Sequence, residues 1–310
     1  MADLVAVWAQ ALLPAFLLAA GLTLGAMIAL ALGHLLGEAW METLHPALAV
    51  MARRAPILVP LAVPLLLATA YSRPAPPVGA WFDPGLVAMR CLAMLLLWIV
   101  FGRVLARRRL QDRVAGGALI LLVTTGAVAM QDWALSRDAG GAGSLQAIAL
   151  TVELTGAAMA LATITAIRGG MPGEEARTGL ERALLCFAMA SLWFRFVQYI
   201  VAYAADLPPE AAWYLRRSDG IWRWMEGVIA LPMLLAAIAL ALVPQWRRWR
   251  LVAVGLLLLA QCVVHLAWVV GPDAAPPAAA TPALAQFLMP GIVALALVVA
   301  WSPLWRGTRS

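Results

Sequence analysis

Glu153, Arg195, Glu226 and His265 are ionisable residues set inside stretches that are otherwise apolar over helix-spanning lengths. A charge at bilayer depth is costly, so such groups face a bundle interior or a wet cavity, and each marks a site of proton transfer or ligand binding. Arg195 lies in the run from Ala183 to Ala205, which opens directly into the polar, aromatic-rich segment Asp206 to Trp224. Arg195, Gln198 and Tyr199 are three and four positions apart, so one helix face presents a cation, an amide and a phenol. Gln261, His265 and Trp268 share a face in the same way and offer an amide, a titratable imidazole and a flat apolar wall. Two such faces suit a quinone headgroup, whose carbonyls need donors and whose ring needs aromatic packing. Arg195, Gln198, Glu226, His265 and Trp268 are therefore the quinone-binding candidates.

A lone carboxylate near mid-membrane, such as Glu153, can accept and release a proton. With Asp132 at the outer end of the fourth span and His265, it makes up a set of proton-path candidates. The plainer alternative is a buried Arg195–Glu226 ion pair with His265 hydrogen-bonded beside it, since buried pairs often serve only to specify packing. Two-histidine haem ligation is not expected. His34 lies near the inner surface, His265 in the outer half, and His45 is assigned to a loop. Cys91, Cys186 and Cys262 each fall inside an apolar span with no CxxC pairing, which reads as buried structural thiols, and no metal site is expected.

The elements that must position these groups follow from composition. Of 310 residues, 64% are hydrophobic and 12% charged, and the run from Leu4 to Gly37 holds no formal charge, longer than the ~20 residues that cross a bilayer. That run is too long for a secretory signal core and lacks a basic start, so it is expected to remain as a helix. The chain is predicted to be one all-α transmembrane domain over residues 1–310, a polytopic bundle of about nine spans. These lie near 10–36, 55–72, 85–105, 114–133, 144–167, 180–204, 221–243, 251–271 and 283–304. Pro56, Pro60 and Pro64, four residues apart, share one face and bend the second span. No internal repeat points to an inverted-repeat transporter.

All basic residues are Arg, and most lie in short loops between spans, so the pI near 10.0 is a topology signal rather than a nucleic-acid surface. One set of alternate loops collects most of them, including Arg53, Arg54, Arg103, Arg107 and Arg108, which places the N-terminus outside and the C-terminus inside. On that assignment Arg90, Arg195, Glu226 and His265 share the outer half of the bilayer. Trp213, Tyr214, Trp222 and Trp224 fall at headgroup depth, where amphipathic rings collect.

Further residues carry a likeness. Gly33-His-Leu-Leu-Gly-Glu-Ala-Trp40, Arg53-x-x-Pro56, Phe82-Asp-Pro84, Asp132-Trp-Ala-Leu-Ser136, Phe196-x-Gln198, Leu207-Pro-Pro-Glu-x-x-Trp-Tyr-Leu-Arg-Arg217, Val264-His-Leu-Ala-Trp268 and Gly271-Pro272 occur in this order. In that order they resemble the NrfD/PsrC-like membrane subunits, and more closely the F subunit of alternative complex III, a bacterial quinol:cytochrome c oxidoreductase. The Leu207 to Arg217 segment is the most specific piece. The resemblance, from about residue 20 to 272, implies a multi-pass subunit of the bacterial inner membrane with no covalently bound cofactor. Its expected role is structural, with quinone or quinol binding and proton conduction. Implied partners are a quinol-oxidising NrfD-like sister subunit, periplasmic haem c and iron-sulfur subunits, and membrane lipid, with no nucleic acid; Trp213, Tyr214, Arg216 and Arg217 are the docking residues. The chain departs from the family pattern in being about one helix shorter at its N-terminal side. It also has His265 where an acid is expected and Glu153 where an amide is expected, and Arg195 lies outside the pattern. A secondary transporter of a small anion, using Arg90 and Arg195, and a pure assembly scaffold are the other functions open to this sequence.

Overall fold

Apolar residues on every side of a helix force it to the centre of a bundle, and the first helix, α1 (Ala2–Leu36), is of this kind. The computed structural model of the chain describes residues 2–67, 79–108, 110–137, 145–204, 208–243 and 247–273. Among these there is no strand, and eight helical stretches are long and apolar enough to cross a membrane. The expected ninth span, 283–304, lies outside the described residues.

The remaining helices are α2 (Trp40–Arg53), α3 (Leu58–Leu67), α4 (Pro84–Leu105), α5 (Asp112–Trp133), α6 (Gln146–Arg168), α7 (Glu174–Ala204), α8 (Pro208–Arg217), α9 (Trp222–Trp224), α10 (Leu231–Leu242) and α11 (Arg247–Val270). Helices α1 and α6 form the buried axis, with α2 and α5 against α1, and α7 and α11 against α6. Close approach along that axis depends on small residues, as between membrane helices generally. A Cβ on Gly25 would lie 2.6 Å from the Leu154 carbonyl oxygen, so only glycine lets α1 and α6 touch backbone to backbone there.

The second span departs from expectation. It begins at Trp40, well before residue 55, so His45 lies in α2 and is buried, its ring centroid 6.3 Å from that of His34. Polar Glu42 and His45 mask the helix in a hydropathy reading, whereas an apolar face of Leu44, Leu48 and Met51 packs it against the core. The bend expected from the prolines is a short 3-10 turn, Ala55–Ile57, between α2 and α3. Pro56 has no N–H to continue the α ladder.

The segment Asp206 to Trp224 is not only a loop: residues 208–217 form the short helix α8. Between α9 and α10 the chain adopts one wide π turn, Met225–Ala230. Pro232 follows it in α10 and cannot donate to the carbonyl four residues back, so the ladder must open upstream of it. Such turns re-aim side chains and recur at functional sites; this one carries Glu226. Its start is seated by Trp222, whose ring occupies the space that a side chain at Gly271 would fill.

Candidate functional site

Four segments bring their polar side chains to one place. Arg195, from α7, donates from Nη2 to Glu153 Oε1 on α6 at 2.9 Å and to Gln261 Oε1 on α11 at 2.6 Å, and from Nη1 to Glu226 Oε1 on the π turn at 3.0 Å. His265, one turn along α11 from Gln261, donates from Nδ1 to Glu226 Oε2 at 2.8 Å. Its Nε2 meets the amide nitrogen of Gln146 at 2.9 Å and lies 3.8 Å from Glu153 Oε2. The side chains of Glu153 and Arg195 retain 2% and 8% of their exposure, against 21% for Glu226. The cluster therefore has a sealed end at Glu153 and an accessible end at Glu226.

A cavity of about 670 Å³ begins at that accessible end. Gln146, Arg195, Glu226 and His265 line its polar side, while Tyr199, Tyr214 and Trp268 supply aromatic walls. Trp268 stacks on His265 with ring centroids 5.5 Å apart and planes 25° apart. Tyr214 meets Trp268 at 6.3 Å and Tyr199 at 5.8 Å. Phe196, Tyr199 and Tyr203 of α7 line the cavity and are themselves exposed, so it is open along that stretch of α7. Burial, with Glu226 and Glu210 nearby, pushes the Tyr214 phenol above its ordinary range, which keeps it protonated and able to donate.

Helix α8 roofs the cavity and is held by a buried arginine. Arg217 is 1% exposed and stacks on Trp213 at 3.6 Å. It donates to the Trp213 carbonyl at 3.0 Å, to the Val269 carbonyl and to the Asp273 carboxylate. Burial pulls its guanidinium down to about 10, and Asp273 opposes that shift. Trp213 is buried as well and meets Trp268 edge-on at 5.4 Å.

The expected quinone residues are thus brought together with one exception. Arg195, Glu226, His265 and Trp268 line the cavity, whereas Gln198 does not. Its Oε1 accepts the Leu145 backbone N–H at 3.0 Å and so completes the start of α6, an N-terminal turn whose amides have no intrahelical partner. Of the proton-path residues, Glu153 and His265 are adjacent. Asp132 is elsewhere: its two oxygens hold Arg90, from Nε at 2.9 Å and Nη2 at 3.0 Å, on the α4–α5 side. Arg90 belongs to that pair and not to the Arg195 cluster, although their depths along the sequence match.

Of the expected docking residues, Trp213 and Arg217 are buried within the chain, with the guanidinium stacked on the indole. Arg216 stays largely exposed, 3.9 Å from Asp273, and Tyr214 lines the cavity. Among the thiols, Cys91 and Cys262 are buried but Cys186 points outward. Gln146 was not singled out by sequence. Its spacing of seven residues from Glu153 places both on one face of α6, which is the signal that identifies it. No group of three or more His, Cys, Asp or Glu among the described residues is arranged to hold a metal ion. Compared with known proteins, the chain matches no family model and no curated protein.

Proposed function

We propose that this chain is an integral-membrane subunit of a quinol:electron acceptor oxidoreductase of the alternative complex III type, which holds a quinone or quinol headgroup and handles its protons. The observation that carries the reading is the aromatic cavity, open along α7 and ending on Glu226 and His265. Its volume lies within the usual range for small-molecule sites, about 300–1,000 Å³. A membrane-dissolved ligand enters between α7 and α10 without crossing water. Its ring packs against Trp268 and Tyr214, and its oxygens meet the Tyr214 hydroxyl and the His265–Glu226 pair. Oxidation of the quinol belongs to the sister subunit and the periplasmic haem c and iron-sulfur subunits. The chain's own residues bind the headgroup and pass its proton inward. In this reading there are nine spans in the bacterial inner membrane, with the N-terminus outside and the C-terminus inside. Exposed Arg216 then lies on the periplasmic side.

Single Glu153→Gln and His265→Ala substitutions in the assembled complex test the function, with quinol oxidation and proton release measured together. A fall in either rate supports a ligand and proton role. Unchanged rates in both variants leave only a scaffold. A small-anion transporter fits less well, because both terminal nitrogens of Arg195 are already taken by two carboxylates and an amide, and Arg90 is closed on Asp132. Around Arg195 itself the carboxylates of Glu153 and Glu226 stand against one guanidinium.

A further inference from the structure

Three basic side chains from other helices converge on the carbonyl end of α4. His34 Nε2, at the end of α1, lies 3.4 Å from the Leu105 carbonyl oxygen, and Arg53 Nη2, at the end of α2, donates to the Ala106 carbonyl at 3.1 Å. His45 of α2 lies by the Arg107 backbone, with Arg53, Arg108 and His34 around it. The last carbonyls of a helix have no intrahelical partner and carry its negative dipole end, so basic groups satisfy them there. A Cβ on Gly102 would run into the Ala52 carbonyl, so only glycine lets α2 approach α4 this closely. The corner is thus fixed by backbone contact, and its carbonyls are already met.

A surplus of positive charge remains. Arg53, Arg103, Arg107 and Arg108 are exposed, Arg54 is half-buried, and none has a carboxylate partner among the described residues. Two of them continue a stripe along α4. Met89, Leu92, Leu96, Val100 and Arg103, with Arg107 in the turn after the helix, follow one another at three or four positions and so share one face. The four apolar members are 44–63% exposed. At ~1.5 Å per residue they run for roughly 17 Å, about the depth of one leaflet in a hydrocarbon core ~30 Å thick. At the charged end, the planar donor fork of a guanidinium matches the oxygens of a phosphate. Cations at one end of an uncovered apolar stripe one leaflet long are complementary to an anionic amphiphile; a free anion would leave the stripe unused.

We infer that this corner is a binding site for an anionic glycerophospholipid, with its phosphate held by Arg103, Arg107 and Arg108 and its acyl chains laid along α4 from Val100 towards Met89. The phosphate supplies the negative charge that these arginines lack within the chain. Arg53 stays on the Ala106 carbonyl and keeps the end of α2 beside the headgroup. The site shares no residue with the cavity beside Glu226 and His265, and it binds its lipid with or without a ligand there.

Native mass spectrometry of the full chain in a mild detergent, titrated with phosphatidylglycerol or with phosphatidylcholine of the same acyl chains, tests the site. An arginine beside an anionic lipid is worth about fivefold in binding, so three of them should make phosphatidylglycerol bind the wild type at least about tenfold more tightly than phosphatidylcholine. The triple variant Arg103→Gln, Arg107→Gln, Arg108→Gln should abolish that preference. The triple variant Arg168→Gln, Arg182→Gln, Arg248→Gln removes the same charge from exposed positions on α6, α7 and α11 and should keep it. Should the first triple variant fail to accumulate, Arg107→Gln alone should lower the affinity for phosphatidylglycerol about fivefold, and an unchanged affinity then counts against the site. Equal binding of the two lipids by the wild type, an equal loss in both triple variants, or displacement of phosphatidylglycerol by millimolar inorganic phosphate overturns the inference.

Discussion

Replacing Arg195 with methionine tests the whole cluster, because it changes one charge and very little volume. The substitution leaves Glu153 and Glu226 facing each other around His265, with at most one imidazolium to balance two carboxylates. Removing one partner of a buried ion pair typically costs about 3–5 kcal/mol, through the charge left behind rather than the bond lost. Glu153 dominates here. Its side chain keeps 2% of its exposure and has no water to turn to, whereas Glu226, at 21%, is partly relieved by solvent in the cavity. The double variant Arg195→Met, Glu153→Gln is the sharper test. It leaves one carboxylate and one histidine, which a single proton neutralises, so most of the loss should return, to within about 1–2 kcal/mol of wild type given one charged hydrogen bond forgone. Reversible unfolding of the purified chain in lipid bicelles measures all three proteins. The single variant should lie about two to three and a half orders of magnitude lower in its folding constant. A single variant as stable as wild type, or a double variant no better than the single, would refute the claim that Glu153 is held by Arg195.

Other outcomes follow from particular contacts. Arg217→Met strands the Asp273 carboxylate, which is 4% exposed, and should release α8; hydrogen exchange at residues 208–217 should rise by orders of magnitude, while Arg216→Met should leave it unchanged. Trp268→Ala removes the wall stacked on His265 and should weaken binding of a fluorescent quinone analogue by at least the ~0.5–1.5 kcal/mol of an aromatic contact; equal affinity in wild type and variant would place the ligand elsewhere. Gly25→Val presses a side chain onto the Leu154 carbonyl and should destabilise the bundle by about 1–3 kcal/mol, read as loss of folded chain in the bicelle assay.

Hydropathy and charge pattern made much of the bundle legible before any fold was known. A long uncharged run has few places to go but a bilayer or a deep core, which is why α1, α4 to α7, α10 and α11 lie close to where the apolar stretches put them. The start of the second span is hidden from hydropathy because Glu42 and His45 interrupt it, although its apolar face is intact. The same reasoning marked Arg195, Glu226, His265 and Glu153 as a site, since each is expensive where it stands.

Which of these groups meet was a matter of tertiary structure. The partners of Arg195 are 31, 42 and 66 residues away along the chain, and matching depth allowed Arg90 into the cluster as readily as Glu226. Helix rotation and packing decided otherwise, turning Arg90 to Asp132 and Gln198 to the start of α6. The π turn ahead of Pro232 carries Glu226 to its place between Arg195 and His265, a local geometry that a regular 3.6-residue period does not describe. Sequence alone determined which charges stand inside apolar stretches, because the cost of desolvation depends on each residue's own surroundings along its helix. Only the fold decided how that charge is paired, because pairing depends on the few ångströms and degrees by which helices distant in sequence settle against one another.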